Sequence, residues 1–298
     1  MHFSGAVLAA LPLAANAANL VLSNDDGWAE KNIRTFYSAL TAAGENVVLS
    51  GPAENQSGSG SRSATPTSRT QPCQFNSCPA NSPAIGSDPN NARFNYVNAF
   101  PVDAVRNGIN IAPRILGARP DLVVTGPNVG SNLGVVTLFS GTVGAATEAS
   151  TQGFPAIAFS GASGDPISFT APTPVYARVY ADLATNVTQT LLRSSTPLLP
   201  RLTYLNVNFP ESSSTRCGNP NQFRFILTRI NGAVPLITPP DVQTCGGTRL
   251  PTESSVVGRS DGCFVSVSLG GNNKQDTSAA NQAVVLRKLA PILSCLPN

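Results

Sequence analysis

The apolar run at residues 20–22 ends in Ser23, Asn24, two adjacent aspartates, Asp25 and Asp26, and a glycine. An apolar segment that stops abruptly at such residues predicts a buried strand followed by a turn. Two neighbouring carboxylates repel each other and lose solvation when buried, so at a strand end they usually share a cation. A solvated Asp-Asp-Gly turn is the alternative interpretation, because aspartate and glycine are also ordinary turn residues.

Two further loops that follow predicted strands carry oxygen donors. One contains Asn55 and Ser57, and the other contains Asn128 and Asn132. Because the carboxyl ends of neighbouring parallel strands meet at one edge of a sheet, all three loops could surround one ligand. Carboxylate, hydroxyl and amide oxygens form a hard donor set that suits Mg²⁺ or Mn²⁺, with Ca²⁺ as a further candidate. Taken alone, each loop also fits an ordinary turn.

Ser140, Gly141 and Thr142 open an alanine-rich segment that is predicted to be a helix up to about Thr151. The first N–H groups of a helix have no internal partner, so a helix N-terminus with nearby hydroxyls binds phosphate well. An ordinary N-cap at Ser140 is the alternative. A cation site that faces a helix N-terminus indicates the hydrolysis of a phosphate ester.

The single histidine of the chain, His2, lies in an N-terminal segment that we expect to be removed. Without histidine, Ser-His-Asp triads, Cys-His dyads and phosphohistidine chemistry are excluded, and a catalytic zinc site is disfavoured. Charged residues make up 12% of the chain and the net charge is +3. This balance gives no electrostatic reason to expect a nucleic-acid polymer or a membrane as a partner.

Secretion is predicted from two features of the sequence. Residues 6–15 are apolar and precede a small-x-small pattern at 15–17, which predicts a signal peptide over residues 1–17. The six cysteines contain no C-x-x-C pair, which favours disulfides over zinc. We expect a local Cys73–Cys78 loop and pairing of the other four cysteines within the C-terminal part.

Two N-glycosylation sequons are present, at Asn55 and at Asn186. A glycan on Asn55 would obstruct a site that contains Ser57, so we expect Asn55 to be unmodified and to order its loop through its side chain.

The elements that must position these residues alternate between strands and helices. This alternation predicts an α/β fold with a doubly wound, mainly parallel sheet. The expected α/β core spans about 18–210 of a domain at 18–298, and about 211–298 is expected to form a β-rich extension. Helices are predicted at 33–43, 102–111, 140–151 and 280–289, strands at 46–50, 121–125 and 156–160, and an irregular excursion at 57–95.

Several of these segments together resemble the SurE survival-protein family. They are LSNDDG at 22–27, NQSG at 55–58, TGPNVGSNLG at 125–134, SGTV at 140–143, GFPA at 153–156, LNVNFP at 205–210 and the strand at 261–267. The resemblance implies a SurE-like, Rossmann-like fold and a secreted, fungal-type phosphomonoesterase that depends on one divalent cation. The implied substrates are small phosphate esters, namely nucleoside 5′- and 3′-monophosphates.

The resemblance also implies roles for individual residues. The cation would be held by Asp25, Asp26, Ser57 and Asn128, and either aspartate could take a proton from the attacking water. The residues implied to surround the phosphate are Asn132, Ser140, Gly141 and Thr142. Asn24 and Asn55 would order the two loops. Members of the family form dimers or tetramers through C-terminal exchange, so a homodimer is compatible with the resemblance.

Two departures from the family pattern surround the expected site. Residues 28–32 read WAEKN where the family has Ala-Pro-Gly, and Pro127 replaces an isoleucine before the expected metal-binding asparagine. These changes put nucleotide specificity in question more than phosphatase chemistry. The alternatives are therefore a broad-specificity extracellular acid phosphatase and, in another class, a secreted protein that binds metal and phosphate without turnover. A haloacid-dehalogenase phosphatase is disfavoured because its Asp-x-Asp pattern is absent.

Overall fold

One sheet of nine strands organises residues 17–297, the part of the chain that the computed structural model describes. The strands are β1 (Asn19–Ser23), β2 (Asn46–Pro52), β3 (Ile85–Asp88), β4 (Asn91–Val97), β5 (Leu122–Val129), β6 (Ala156–Gly161), β7 (Thr203–Phe209), β8 (Phe223–Thr228) and β9 (Cys263–Gly271). The helices of the described chain are α1 (Lys31–Ala42), α2 (Pro101–Leu116), α3 (Gly141–Thr151), α4 (Val175–Leu192), α5 (Glu253–Val257) and α6 (Ala279–Lys288). The expected signal peptide, with His2, lies outside the described residues except for Ala17.

The strand order is β3-β4-β2-β1-β5-β6-β7-β9-β8. The central run from β4 to β7 is parallel, whereas β3 pairs antiparallel with β4 and β9 pairs antiparallel with β7. Helices α1 and α4 pack together, and α2 packs on α3. The expected doubly wound, mainly parallel α/β fold is confirmed.

Strand β1 shows why the sheet is covered on both faces. Leu20 and Leu22 join one apolar cluster with Phe36 of α1, whereas Val21 joins a second cluster with Val105 of α2. All three residues of the run are completely buried, which explains why the strand is apolar throughout instead of alternating with polar residues.

The structure differs from the sequence prediction in three segments of the chain. The expected irregular excursion at 57–95 contains β3 and most of β4, and β4 pairs with β2 in the main sheet. Strand β4 lies near a sheet edge and is only partly buried, so its sequence contains polar residues. Because of these polar residues, its sequence does not look like that of a buried strand. Helix α4 was not predicted, and β8 and β9, expected as an extension, lie in the same sheet as the core strands.

The six cysteines form three disulfides in the described chain: Cys73–Cys78, Cys217–Cys263 and Cys245–Cys295. The local loop and the pairing of the remaining four cysteines within the C-terminal part are confirmed. Within residues 17–297, no helix combines the length and the apolar character that crossing a bilayer requires.

The Cys245–Cys295 disulfide ties the segment after α6 to the loop between β8 and α5 across 50 residues of sequence. We expect replacement of both exposed cysteines by serine to lower the free energy of unfolding by about 2–4 kcal/mol, because the unfolded chain gains loop entropy. Urea denaturation of the two proteins measures this difference. An unchanged unfolding midpoint would show that the disulfide does not stabilise the fold.

Candidate active site

Three neighbouring parallel strands, β2, β1 and β5, end at the same edge of the sheet. The aspartate pair follows β1, the loop with Asn55 and Ser57 follows β2, and Asn128 lies at the end of β5. The convergence expected from the sequence is therefore present, at the edge where parallel sheets bind ligands.

The carboxylate of Asp25 lies against the N-terminus of α3. The Thr142 hydroxyl donates a hydrogen bond to Asp25 Oδ1, and the backbone N–H groups of Gly141 and Thr142 also face the carboxylate. Burial raises the pKa of Asp25, and these hydrogen bonds oppose the increase. A Cβ on Gly141 would lie 2.8 Å from Asp25 Cβ, so this close approach requires glycine.

Asp26 and Asn128 present buried oxygen atoms to the same region. Asp26 Oδ2 accepts a hydrogen bond from Val129 N at 2.9 Å, and Asn128 Nδ2 donates to Gly130 O at 2.6 Å. Asp26 Oδ1 and Asn128 Oδ1 have no hydrogen-bond partner within the described residues. Burial, with the negative charges of Asp25 and Glu30, raises the pKa of Asp26 well above its usual value.

These orphaned oxygens fit a divalent cation. Buried acceptors without a donor are costly. A cation would satisfy the carboxylate oxygen of Asp26 and the amide oxygen of Asn128, and its charge would offset the repulsion between the two carboxylates. Within residues 17–297, no three His, Cys, Asp or Glu side chains cluster as a metal site. A cation here would therefore need amide and hydroxyl oxygens as well as the two carboxylates, which is the donor chemistry of Mg²⁺ and Mn²⁺.

Asparagine side chains order the loop after β1 and the loop after β2. Asn24 Nδ2 donates to Gly27 O at 2.9 Å, and Asn55 Oδ1 accepts from Ser57 N at 2.8 Å. Gln56 N donates to Asp25 O at 2.7 Å and joins the two loops directly. Ser57 is exposed, whereas Ser59, two residues later, is buried.

Asn128 belongs to β5, whereas the sequence analysis expected a loop after Thr125. The strand continues to Val129 through a register shift between Thr125 and Asn128. Gly126, at φ +97°, and Pro127, which has no N–H to donate, produce this irregularity. The bulge re-aims the end of β5, so glycine and proline here do not end the strand.

The residues expected around the phosphate are partly engaged with the protein itself. Ser140 caps α3, since its Oγ accepts from Val143 N at 3.1 Å, and the Thr142 hydroxyl is bonded to Asp25. Asn132 N donates to Asn208 Oδ1 at 2.8 Å, and Asn132 Nδ2 donates to Ser160 Oγ at 2.8 Å. The structure thus brings residues 140–142 to Asp25. It places Asn132 in a buried network that adjoins Asn128, because Ser160 is paired with Asn128 in the sheet.

Sequence reasoning missed most of this network. Asn206 Nδ2 donates to Asn132 O at 2.9 Å and to Glu253 Oε1 at 2.8 Å, and Gly134 N donates to Glu253 Oε2 at 3.2 Å. The asparagines that alternate in β7 were a usable signal, because polar residues inside a buried strand need partners. Glu253 carried no such signal; its burial raises its pKa to about 8.

The segment that departs from the family pattern is buried around the site. Trp28 packs against Tyr96 with ring centroids 5.2 Å apart. Glu30 caps α1 by accepting from Asn32 N at 2.5 Å, and burial raises the pKa of Glu30 to about 7. Asn32 Nδ2 donates to Pro127 O at 3.4 Å, so the two departures contact each other beside Asn128.

The family model described as Survival protein SurE matches residues 20–231. A protein named acid phosphatase from Yarrowia lipolytica is 37% identical over 201 residues, a match that covers 64% of this chain and 56% of that protein. A protein named 5′-nucleotidase SurE from Lawsonia intracellularis is 32% identical over 197 residues, covering 65% of this chain and 67% of that protein.

A solved structure has the same fold. The crystal structure of the SurE protein from Aquifex aeolicus superposes with a TM-score of 0.56 at 24% sequence identity. The superposition covers 85% of this chain and 93% of that one.

We expect Glu253 to make stability depend on pH. Its pKa rises from 4.5 to about 8 on folding, so between these values the folded state holds a proton that the unfolded state has lost. The free energy of unfolding therefore falls as pH rises through this window, with a slope of up to about 1.4 kcal/mol per pH unit. Glu253→Gln has no titrating carboxyl group at this position and should flatten that slope.

Urea denaturation at about pH 5 and at about pH 8 measures this dependence. The matched control is Glu211→Gln, whose side chain is 72% exposed and which should leave the slope unchanged. Equal slopes in the parent protein and Glu253→Gln would contradict the assignment.

Proposed function

This chain belongs to the survival protein SurE family, and we propose that it is a secreted, divalent-cation-dependent phosphomonoesterase of nucleoside 5′- and 3′-monophosphates. One observation carries the proposal: Asp26 Oδ1 and Asn128 Oδ1 are buried without a partner in the described chain, beside Asp25. Such an arrangement is unfavourable by itself and becomes favourable when a cation is bound.

The residues proposed to hold the cation are Asp25, Asp26, Ser57 and Asn128, and the cation is Mg²⁺ or Mn²⁺. When bound, it would withdraw electron density from the phosphoryl group. Asp25 is oriented by Thr142, which occupies Oδ1 and leaves Oδ2 for the site. We propose that one of the two aspartates accepts a proton from the attacking water.

The hydroxyl of Ser140 is suited to contact the phosphoryl group. Its oxygen accepts the capping hydrogen bond from Val143 N, so its proton remains available to an anion at the start of α3. The Thr142 proton is already donated to Asp25, so we propose that Thr142 acts by orienting the carboxylate.

A surface next to Ser140 supports a substrate with an apolar part. The segment between Asn132 and Ser140 exposes Val135, Val136, Leu138 and Phe139, which are 63%, 46%, 42% and 63% exposed. Contiguous exposed apolar side chains beside a polar site are typical of a binding surface. An aromatic ring here could stack on a nucleobase, which favours nucleoside monophosphates as substrates.

A broad-specificity acid phosphatase is the second candidate, favoured by the 37% identity to the Yarrowia lipolytica protein that bears that name. A binding protein without turnover is the third. Secretion is supported by the three disulfides of the described chain, since disulfides persist in oxidising compartments.

We expect the purified protein to release phosphate from nucleoside monophosphates, and we expect EDTA to abolish the release. Asp26→Asn removes one of two cation-binding charges and should lower kcat/KM at limiting cation by at least about 100-fold while leaving the fold intact. Asp25→Asn should act in the same direction. The measurement is phosphate release with circular dichroism as the folding check.

The control for this experiment is Asp261→Asn. The side chain of Asp261 is 54% exposed, and the residue lies just before β9. It should behave like the parent protein. Near-normal turnover in both Asp25→Asn and Asp26→Asn, or activity that survives EDTA, would contradict the cation-dependent mechanism. Cation binding without any turnover would favour the binding protein.

Phe139→Ala separates a nucleotidase from a broad phosphatase. Loss of a stacking ring should raise KM for nucleoside monophosphates by about 10-fold and leave KM for glycerol phosphate unchanged. Phe139→Tyr should restore KM, and Ile237→Ala, another exposed apolar position at 77% exposure, is the control. Equal effects on both substrates would show that the ring does not recognise the base.

A further inference from the structure

The loop after β2 carries a second serine whose surroundings differ from those of Ser57. Ser57 is exposed, whereas Ser59 is only 6% exposed. Within the described chain, Ser59 Oγ is buried and has no hydrogen-bond partner. A buried hydroxyl without a partner loses its hydration without compensation, so its presence calls for a ligand that completes its bonding.

The unpartnered hydroxyl lies beside the catalytic carboxylate. Ser59 Oγ is 2.9 Å from the position that a Cβ on Gly141 would take, and Asp25 Oδ2 is 3.0 Å from the same position. The two oxygens therefore border one small space, which exists because residue 141 has no side chain. Asp25 Oδ1 is bonded to Thr142, so Oδ2 is the oxygen that Asp25 offers to this space.

Backbone contacts hold Ser59 in place. Ser59 N donates to Gln56 O at 3.2 Å, and Gly60 N donates to Phe139 O at 2.8 Å. A Cβ on Gly144 would lie 2.0 Å from Gly60 O, so the loop backbone rests directly on α3. None of these contacts uses the Ser59 hydroxyl, and its removal should leave the loop where it is.

The two hydroxyls at the start of α3 each make a hydrogen bond within the protein. Thr142 donates to Asp25, and Ser140 Oγ accepts the cap from Val143 N. Ser59 Oγ is an orphaned hydroxyl among the described atoms nearest to the Cβ position of Gly141. A neutral oxygen enclosed next to a carboxylate oxygen has the chemistry of a ligand for a hard divalent cation.

We propose that the Ser59 hydroxyl is an additional oxygen ligand of the divalent cation, on the Asp25 side of the site. The inference rests on the proposed cation-dependent function, and it does not require turnover. It adds a ligand that the resemblance to the family does not assign, two residues beyond Ser57 in the same loop.

Direct binding of Mn²⁺ to the full chain, measured by titration calorimetry, tests the proposal. Ser59→Ala should weaken Mn²⁺ binding by about 10-fold or more, as expected for loss of a group at a metal site. Ser59→Thr, which keeps the hydroxyl, should recover most of the affinity. Ser61→Ala, at an exposed serine of the same loop, is the matched control and should leave the Kd unchanged.

A second variant distinguishes a ligand from a residue that acts through another group. A thiol prefers softer ions, so Ser59→Cys should shift the preference from Mn²⁺ towards Cd²⁺ more than Ser61→Cys does. Mass spectrometry without reduction checks that the native disulfides remain paired in both variants. Circular dichroism without cation checks that each variant folds.

The outcomes separate this inference from the proposed function. A Mn²⁺ Kd in Ser59→Ala within about twofold of the parent value overturns the inference. A Cd²⁺ preference that is equal in Ser59→Cys and Ser61→Cys also overturns it, as does a parent protein that binds no Mn²⁺. Weakened binding in Ser59→Ala, together with a parent protein that binds Mn²⁺ without hydrolysing phosphate esters, supports the inference while refuting the proposed function.

Discussion

The contact between Asp25 and the N-terminus of α3 is the constraint on which the rest of the site depends. It joins residues that are 117 positions apart in sequence, through the Thr142 hydroxyl and the free N–H groups of the helix. These donors oppose the increase in the pKa of Asp25 that burial causes. The contact also requires glycine at 141, and the missing side chain leaves the space beside Asp25 Oδ2. The N-terminus of α3 therefore binds the protein's own carboxylate, and the phosphate-binding role expected from sequence for residues 140–142 stays a prediction.

A second set of interactions extends the site across the sheet. Asn132 is bonded to β7, and β7 is bonded to Glu253 of α5. Glu253 lies beyond residue 231, where the match to the family model ends. Polar groups buried in a parallel sheet must find partners, so the strands that flank the site and the C-terminal segment depend on each other. The segment 28–32 also supplies a hydrogen-bond partner to a buried polar group, because Asn32 Nδ2 donates to the carbonyl oxygen of Pro127.

Much of this arrangement could be predicted because its signals are local. The turn after β1, the helix start at Ser140 and the Cys73–Cys78 loop each depend on residues within a few positions of one another. The parallel pairing of the central strands followed from the alternation of strands and helices, since a parallel pair needs a crossover. Strand β4 escaped prediction because its burial is set by β2 and by its place near a sheet edge. The continuation of β5 escaped it because Gly126 and Pro127 usually mark the end of a strand.

The sequence by itself determined which kinds of atoms would meet at the sheet edge: two carboxylates, hydroxyls and amides, with no histidine expected in the mature chain. Only the tertiary structure decided which of those atoms are free. Thr142 is committed to Asp25, Ser57 is exposed, and Ser59 is buried without a partner in the described chain. The physical reason is that a side chain's type is a local property, whereas its solvation and its hydrogen-bond partners depend on the elements packed around it. Here the loop after β2 packs against α3 at Gly141 and Gly144, and this packing buries Ser59.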